Sequence, residues 1–231
     1  ATKGNQIHLA DQSTGCNLSD RQRPDRTSRH QNRKWENNLD LVHRKSYITE
    51  GATCHYTWYV PQNVEGLFQV INNSGQNVIT RLDRMFDEGL YWHGNEPCHQ
   101  IAYLYNKAGA PWKTQQRIHH ILNTEYNDTP GGLSGNDDAG QMSAWYMFSA
   151  IGFYPVCPAT PYYYIGTPSF DKVTFNLENG RKFEIVAEEV DDENFYIQQV
   201  DLNGKSGYYL SHDDLLKGGK LSFRMGNSPK Y

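Results

Sequence analysis

The sequence predicts an α+β fold, with a helical segment first and short antiparallel strands after it. Two periodicities carry this prediction. Between residues 63 and 152 apolar side chains recur at helical spacing, as at Ile79, Leu82, Met85 and Phe86. After Pro158 they alternate instead. Val173, Phe175 and Leu177 share one face of a strand, as do Phe183 and Ile185. The change falls near residues 156–162, where prolines interrupt the chain.

Residues 1–45 stand apart. They are polar and poorly periodic, with nine Lys/Arg against five Asp/Glu, while the rest of the chain has 13 against 21. Arg21, Arg23, Arg26, Arg29 and Arg33 lie among Ser, Thr, Asn and Gln, which reads as a loop or a solvated arm. Few aromatics are interleaved with these arginines, so an arm that binds polyanions is the weaker reading. The net charge of −4 gives no general reason to expect nucleic acid.

The helices can be placed in order. Asn63 caps one that runs to about Val70 and stops near Asn72–Gly75. A second covers Val78–Phe86 and ends at Gly89. Pro97 suits the first turn of a third, which carries Ile101, Ala102, Leu104 and Tyr105 to Gly109. Pro111 opens a fourth with Ile118, Ile121 and Leu122. The last holds Met142, Trp145, Phe148 and Ile151, stopping at Gly152 with Pro155 beyond. Loops bearing Glu50, Glu96 and Asp137/Asp138 alternate with these helices, the way an α/α array presents a site at one end. The strands expected are Tyr162–Ile165, Lys172–Leu177, Lys182–Ala187, Phe195–Val200 and Leu221–Met225. Turns at Glu178-Asn179-Gly180 and Leu202-Asn203-Gly204 separate some of them.

The loop before the last helix holds the densest chemistry. Gly131, Gly132, Gly135 and Gly140 let the backbone turn tightly around the adjacent acids Asp137 and Asp138. One of the two can cap the helix, which leaves the other available for acid/base work. Aromatics are abundant, with 16 Tyr and 5 Trp, which suits a sugar-binding cleft and equally a large β-rich core. The four cysteines, Cys16, Cys54, Cys98 and Cys157, form no CxxC pair, which argues against zinc and leaves disulfides open. Three N-x-S/T sequons, at Asn17, Asn72 and Asn127, mildly favour a secreted protein. The longest apolar run, Ala144 to Val156, is too short and too polar to span a bilayer. A chain that does not begin with Met reads as processed or as a piece of a longer one.

Three motifs, taken together, resemble glycoside hydrolase family 92, the calcium-dependent exo-acting α-mannosidases. They are Thr49-Glu50-Gly51 with Tyr56-Thr57-Trp58-Tyr59-Val60-Pro61; Trp92-His93-Gly94-Asn95-Glu96-Pro97; and Gly135-Asn136-Asp137-Asp138-Ala139-Gly140-Gln141-Met142-Ser143-Ala144-Trp145-Tyr146. The resemblance is carried by Ser46–Tyr231, with residues 1–45 matching poorly. It implies the closing helices of an (α/α)6 barrel followed by antiparallel β-sandwich strands, the C-terminal third of the family's usual length. Residues 46–157 would be the helical catalytic segment and residues 158–231 the C-terminal β segment.

The resemblance also implies an inverting hydrolysis of terminal α-linked mannose, α-1,2 in the first instance. In such a reaction an acid protonates the leaving oxygen and a base activates water on the opposite face. Glu50 then stands as the acid, with Tyr47, Tyr56 and Trp58 desolvating it to raise its pKa. Asp138 is the base and Asp137 supports it or holds the water; the reverse order is open as well. Asn95 and Glu96 resemble the Ca²⁺-binding segment, and Gln141 or Asn136 adds an oxygen. Trp58, Trp92, His93 and Asn136 would contact the sugar. Ala52-Thr53-Cys54-His55 departs from the Asn, Ala, Trp and Gln usual in the family. The implied partners are a mannose-containing glycan and the missing N-terminal region, or another chain, completing the pocket. The implied location is secreted or extracytoplasmic, in the periplasm or the secretory pathway. The rival expectation is a non-catalytic glycan-binding or structural protein derived from the same family.

Overall fold

Two asparagines start helices where the sequence places them. Asn63 accepts a hydrogen bond from the Gly66 N–H at 2.9 Å, and Asn77 from the Thr80 N–H at 3.0 Å. Each side chain satisfies a backbone donor that the first helical turn leaves free. The structure, a computed structural model, describes residues 48–204 and 207–230. The basic segment 1–45, Cys16 and Tyr47 lie outside the described residues.

The helices are α1 (Thr53–Thr57), α2 (Val64–Asn73), α3 (Val78–Asp87), α4 (Leu104–Lys107), α5 (Pro111–Thr124) and α6 (Gln141–Ile151). One expectation changes. The helix foreseen from Pro97 to Gly109 is instead two 3-10 turns, Glu96–Cys98 and Ile101–Tyr103, followed by the single turn of α4. The cause is tertiary. Every residue from Pro97 to Asn106 is buried, so the segment threads the core and its polar groups find distant partners. His99 Nε2 donates to the His93 carbonyl at 3.0 Å, and Gln100 Nε2 to the Trp58 carbonyl at 3.2 Å. Such contacts outweigh helical propensity.

Among the described residues seven strands follow: β1 (Phe153–Tyr154), β2 (Tyr162–Ile165), β3 (Lys172–Asn176), β4 (Lys182–Glu188), β5 (Tyr196–Leu202), β6 (Tyr209–Ser211) and β7 (Gly219–Gly226). A short helix, α7 (His212–Leu216), separates the last two. One sheet has the order β1-β2-β6 and the other β3-β4-β7-β5. The second is mixed, because β4 and β7 run parallel while the other pairs run antiparallel. A parallel pair needs a long crossover, and the stretch from β5 through α7 supplies it. Alternation alone, on which the antiparallel expectation rested, carries no information about strand direction.

Among the described residues two hydrophobic clusters form the core. One gathers Trp58, Leu67, Ile71, Leu82, Ile101, Tyr103 and Trp145 from the helices. The other gathers Phe183, Ile185, Leu221 and Phe223 from the larger sheet with Phe153, Ile165 and Leu210 from the smaller. Phe148 of α6 packs against both. Buried hydrogen bonds also join the two regions: Asn106 Nδ2 to the Ile165 carbonyl at 2.7 Å, and the Ile197 N–H to Gln115 Oε1 at 2.9 Å. Cys98 and Cys157 carry thiols rather than disulfides. Among the described residues no helix is long and apolar enough to cross a membrane.

Candidate active site

The site begins with two loops that touch backbone to backbone. A Cβ placed on Gly135 would lie 2.5 Å from the Gly94 carbonyl oxygen and 2.6 Å from Gly94 Cα. Only a residue without a side chain permits this approach. It brings the loop of Asp137 and Asp138 against the loop of Asn95 and Glu96. The isolated bridge Tyr126–Leu133 closes the base of the first loop.

The adjacent acids take different work. Asp137 accepts hydrogen bonds from the Ser143 N–H at 2.9 Å and the Ser143 hydroxyl at 3.1 Å, so it caps the first turn of α6. Asp138 has φ +47° and is followed by Ala139 at φ +56°. Left-handed backbone at a residue other than glycine costs of order 1–3 kcal/mol and persists where surrounding structure enforces it. Here it turns the Asp138 carboxylate out of the helix cap and toward Glu96.

Three carboxyl groups share this neighbourhood. The Glu96 carboxyl is held above its ordinary range, first by burial, then by hydrogen bonding to Asp138 and by the charges of Asp138 and Glu50. The Tyr56 phenol, pushed up chiefly by burial, lies beside Asn95 and feels both Glu50 and Glu96. Gly51, with φ +74°, makes the turn that carries Glu50; a Cβ there would stand 2.8 Å from His55 Nδ1 and 3.4 Å from Asn95 Nδ2. His55 is fully buried. Its Nδ1 accepts from the Ala52 N–H at 3.1 Å and its Nε2 donates to the Leu90 carbonyl at 2.8 Å, tying the Glu50 loop to the chain that leads into Trp92–Glu96.

Behind the carboxylates lies a buried relay. The Tyr91 hydroxyl meets His93 Nδ1 at 2.7 Å, His93 Nε2 meets the Tyr126 hydroxyl at 2.6 Å, and that hydroxyl donates to the Met142 carbonyl at 3.1 Å. Because Tyr126 donates to a carbonyl, His93 carries its proton on Nε2 and accepts on Nδ1. Burial, with His99 alongside, keeps His93 neutral by holding its pKa well below the usual value. His99 is likewise neutral, lowered to about 4 chiefly by burial. Since its Nε2 donates to the His93 carbonyl, its Nδ1 must accept, and the Gln141 amide nitrogen is what faces it at 3.3 Å. That nitrogen also reaches the Tyr154 hydroxyl at 3.3 Å. Gln141 Oε1 is left without a protein partner among the described residues. Replacing Tyr126 by Phe keeps the ring on Trp145 but removes the acceptor for His93 Nε2–H. We expect a loss of about 1–3 kcal/mol in urea unfolding.

Two expected sugar contacts are corrected. Trp58 is 2% exposed and belongs to the helical core, with the Arg81 guanidinium 5.8 Å from its ring centre. His93 is 1% exposed and is consumed by the relay. Both are too buried for a ligand to touch without unpacking the core. Trp92 is half-buried and Asn136 is exposed at the loop tip. Trp92 Nε1, Asn95 Nδ2 and Ser134 Oγ are buried with no hydrogen-bond partner among the described residues, and all three lie around the Gly94–Gly135 contact. His99, Tyr126, Tyr154 and Ser143 were missed by sequence reasoning. Their residue types gave no signal, because each acts through a contact distant in sequence or through a loop turn.

Among the described residues no three His, Cys, Asp or Glu side chains converge as a metal site. The donors that are present are amide and carboxylate oxygens, from Asn95, Glu96 and Gln141, a chemistry that suits a hard divalent cation.

A model of the glycosyl hydrolase family 92 catalytic domain matches residues 18–227. The chain belongs to that family. The match starts well before Ser46, so it includes much of the basic segment expected to stand outside it. The family 92 chain is 45% identical to a family GH92 α-mannosidase from Bacteroides thetaiotaomicron solved in complex with mannoimidazole, with a TM-score of 0.74 over 80% of this chain and 26% of that one. It is 39% identical to a family GH92 inverting mannosidase from the same organism, with a TM-score of 0.72 over 78% of this chain and 28% of that one. It is 32% identical, over 73% of its length, to 22% of an uncharacterized secreted glycosidase from Arthroderma benhamiae. The chain thus spans about a quarter of the length of the relatives it matches. These likenesses support an α+β fold of helices followed by mixed and antiparallel sheet.

Proposed function

We propose that this chain carries the catalytic carboxylates of a calcium-dependent, inverting exo-α-mannosidase that releases terminal α-linked mannose, α-1,2 by first preference, from glycans. The observation that carries the reading is the shared environment of Glu50, Glu96 and Asp138, with Asn95 beside them. Relatives described as an α-mannosidase and as an inverting mannosidase support the substrate and the stereochemistry.

In this reading Glu50 donates its proton to the leaving oxygen. Asp138 takes a proton from water on the opposite face of the sugar, and Asp137 holds the loop through its cap on α6. An inverting pair needs its carboxyl groups roughly 6.5–9.5 Å apart to admit that water. Asn95, Glu96 and Gln141 would hold the calcium ion, with Gln141 presenting Oε1 because His99 and Tyr154 engage its nitrogen. When bound, the ion supplies positive charge against the sugar hydroxyls and offsets the crowding of carboxylates. Trp92 and Asn136 remain as sugar contacts.

The chain would be the C-terminal part of a longer enzyme, with residues 46–157 completing a barrel and residues 158–231 forming its C-terminal β segment. Two features support this. Glu50 and Asp138 are exposed rather than enclosed. The α6 helix is apolar all round, yet Met147 is 62% and Tyr146 38% exposed, a surface that such a helix ordinarily buries. The rest of the protein, or another chain, would wall the pocket. An extracytoplasmic location agrees with the secreted relative and with the exposed sequons at Asn72 and Asn127.

Mannose release from α-1,2-mannobiose, abolished by a chelator and restored by added calcium, is the expected result. Mannobiose binding in saturating calcium without turnover would favour a glycan-binding protein instead, the reading that the open site keeps alive. Turnover unaffected by exhaustive chelation would remove the assignment of Asn95, Glu96 and Gln141.

A further inference from the structure

A second recess shares no lining residue with the carboxylate cluster. It is a groove of about 410 Å³ between the start of α2 and the β2–β6 pair. Strand alternation builds its wall. Tyr162 and Tyr164 point to one face of β2 while Tyr163 points to the other, where it packs with the β-sheet cluster. Tyr164 pairs with Tyr209 across the strands, and their rings meet edge-on at 4.8 Å. Tyr164 is buried and anchors the wall, whereas Tyr162 is 52% and Tyr209 39% exposed. Opposite them, Lys107 pairs with Glu65, and the Lys107 ammonium sits 5.8 Å from the centre of the Tyr209 ring. Gln62 and Thr160 contribute an amide and a hydroxyl to the lining.

This combination selects a ligand class. Lys107 and Glu65 cancel, so the groove offers no net charge to an ion of either sign, and an anion meets Glu65 as a cation meets Lys107. A wholly apolar ligand would strip water from the ammonium, the carboxylate, the amide and the hydroxyl without replacing their hydrogen bonds. A neutral polyol with an apolar C–H face satisfies both sides, with its ring face on tyrosine and its hydroxyls on the polar rim.

We propose that the groove is a second carbohydrate site, which holds a neutral pyranose of the glycan without calcium. The choice of mannose as that pyranose rests on the mannosidase reading. No cation is needed, because the one carboxylate in the lining, Glu65, is already neutralised by Lys107.

The test is saturation-transfer NMR with α-1,2-mannobiose on the full chain in excess chelator. Binding is expected to persist, to be unchanged in Asp138→Asn, and to weaken about tenfold or more in Tyr162→Ala and in Tyr209→Ala. Tyr162→Phe, which keeps the ring face, should retain it. No binding in chelator, or binding indifferent to both alanine variants, overturns the proposal. Loss of binding in Tyr162→Phe also overturns it, since the hydroxyl rather than the ring face would then be the contact. The mannosidase reading fails separately, by absence of mannose release in calcium.

Discussion

Asp138→Asn is expected to lower mannose release from α-1,2-mannobiose by about 10²–10⁴-fold, the range for loss of a positioned general base. Glu50→Gln should fall in the same range through loss of the acid. Both residues are exposed, so thermal unfolding should move little in either variant. The informative comparison is Asp137→Asn. That variant keeps an oxygen to accept from Ser143 and therefore keeps the helix cap, so its activity should fall much less. Asp137→Ala should instead cost about 0.5–2 kcal/mol of stability through loss of the cap. If Asp137→Asn proves the more damaging of the two amides, Asp137 is the base and the order of roles is reversed. Full activity in both Glu50→Gln and Asp138→Asn would end the site assignment.

Gly135→Ala should damage structure and activity together. The added methyl meets backbone atoms of Gly94 at 2.5 and 2.6 Å, so no flexible side chain can give way and the two loops must part. Overpacking of this kind costs about 1–3 kcal/mol. A displacement near 1 Å between the Asp138 loop and the Asn95–Glu96 loop would lower turnover by ~10²-fold. Gly75→Ala is the control. Gly75 has φ +79° with open space around it, so alanine there strains the backbone without moving the site. Melting temperature and turnover should fall together for Gly135→Ala, while Gly75→Ala should change only the first. A Gly135→Ala variant with unaltered turnover would show that the loop contact does not set the catalytic geometry.

The pairing of these loops also explains why the acids looked equivalent in sequence. Asp137 and Asp138 are neighbours of the same type, and either could have been the cap. The left-handed backbone at Asp138 and Ala139 separates them, sending one carboxylate to Ser143 and the other to Glu96. Similarly, Trp58 and His93 stand inside the motifs that carry the family resemblance, yet the fold turns both into core. A motif marks a segment, but not which of its side chains the fold leaves accessible.

The sequence by itself determined the elements whose causes are local. Asn63 caps α2 through a bond three residues away, Gly152 ends α6, and alternation marks β3 and β4. It also determined which loops carry the acids and, through three ordered motifs, the family. Only the tertiary structure decided what depends on residues far apart in the chain. It broke the Pro97–Gly109 helix into turns, because His99 and Gln100 are bonded to His93 and Trp58. It made β4 and β7 parallel, since strand direction follows from the crossover. It gave Gln141 an oriented amide, because His99 can only accept at Nδ1. In each case a buried polar group or an unpaired strand edge needs a partner, and the sequence does not say which distant residue will supply it.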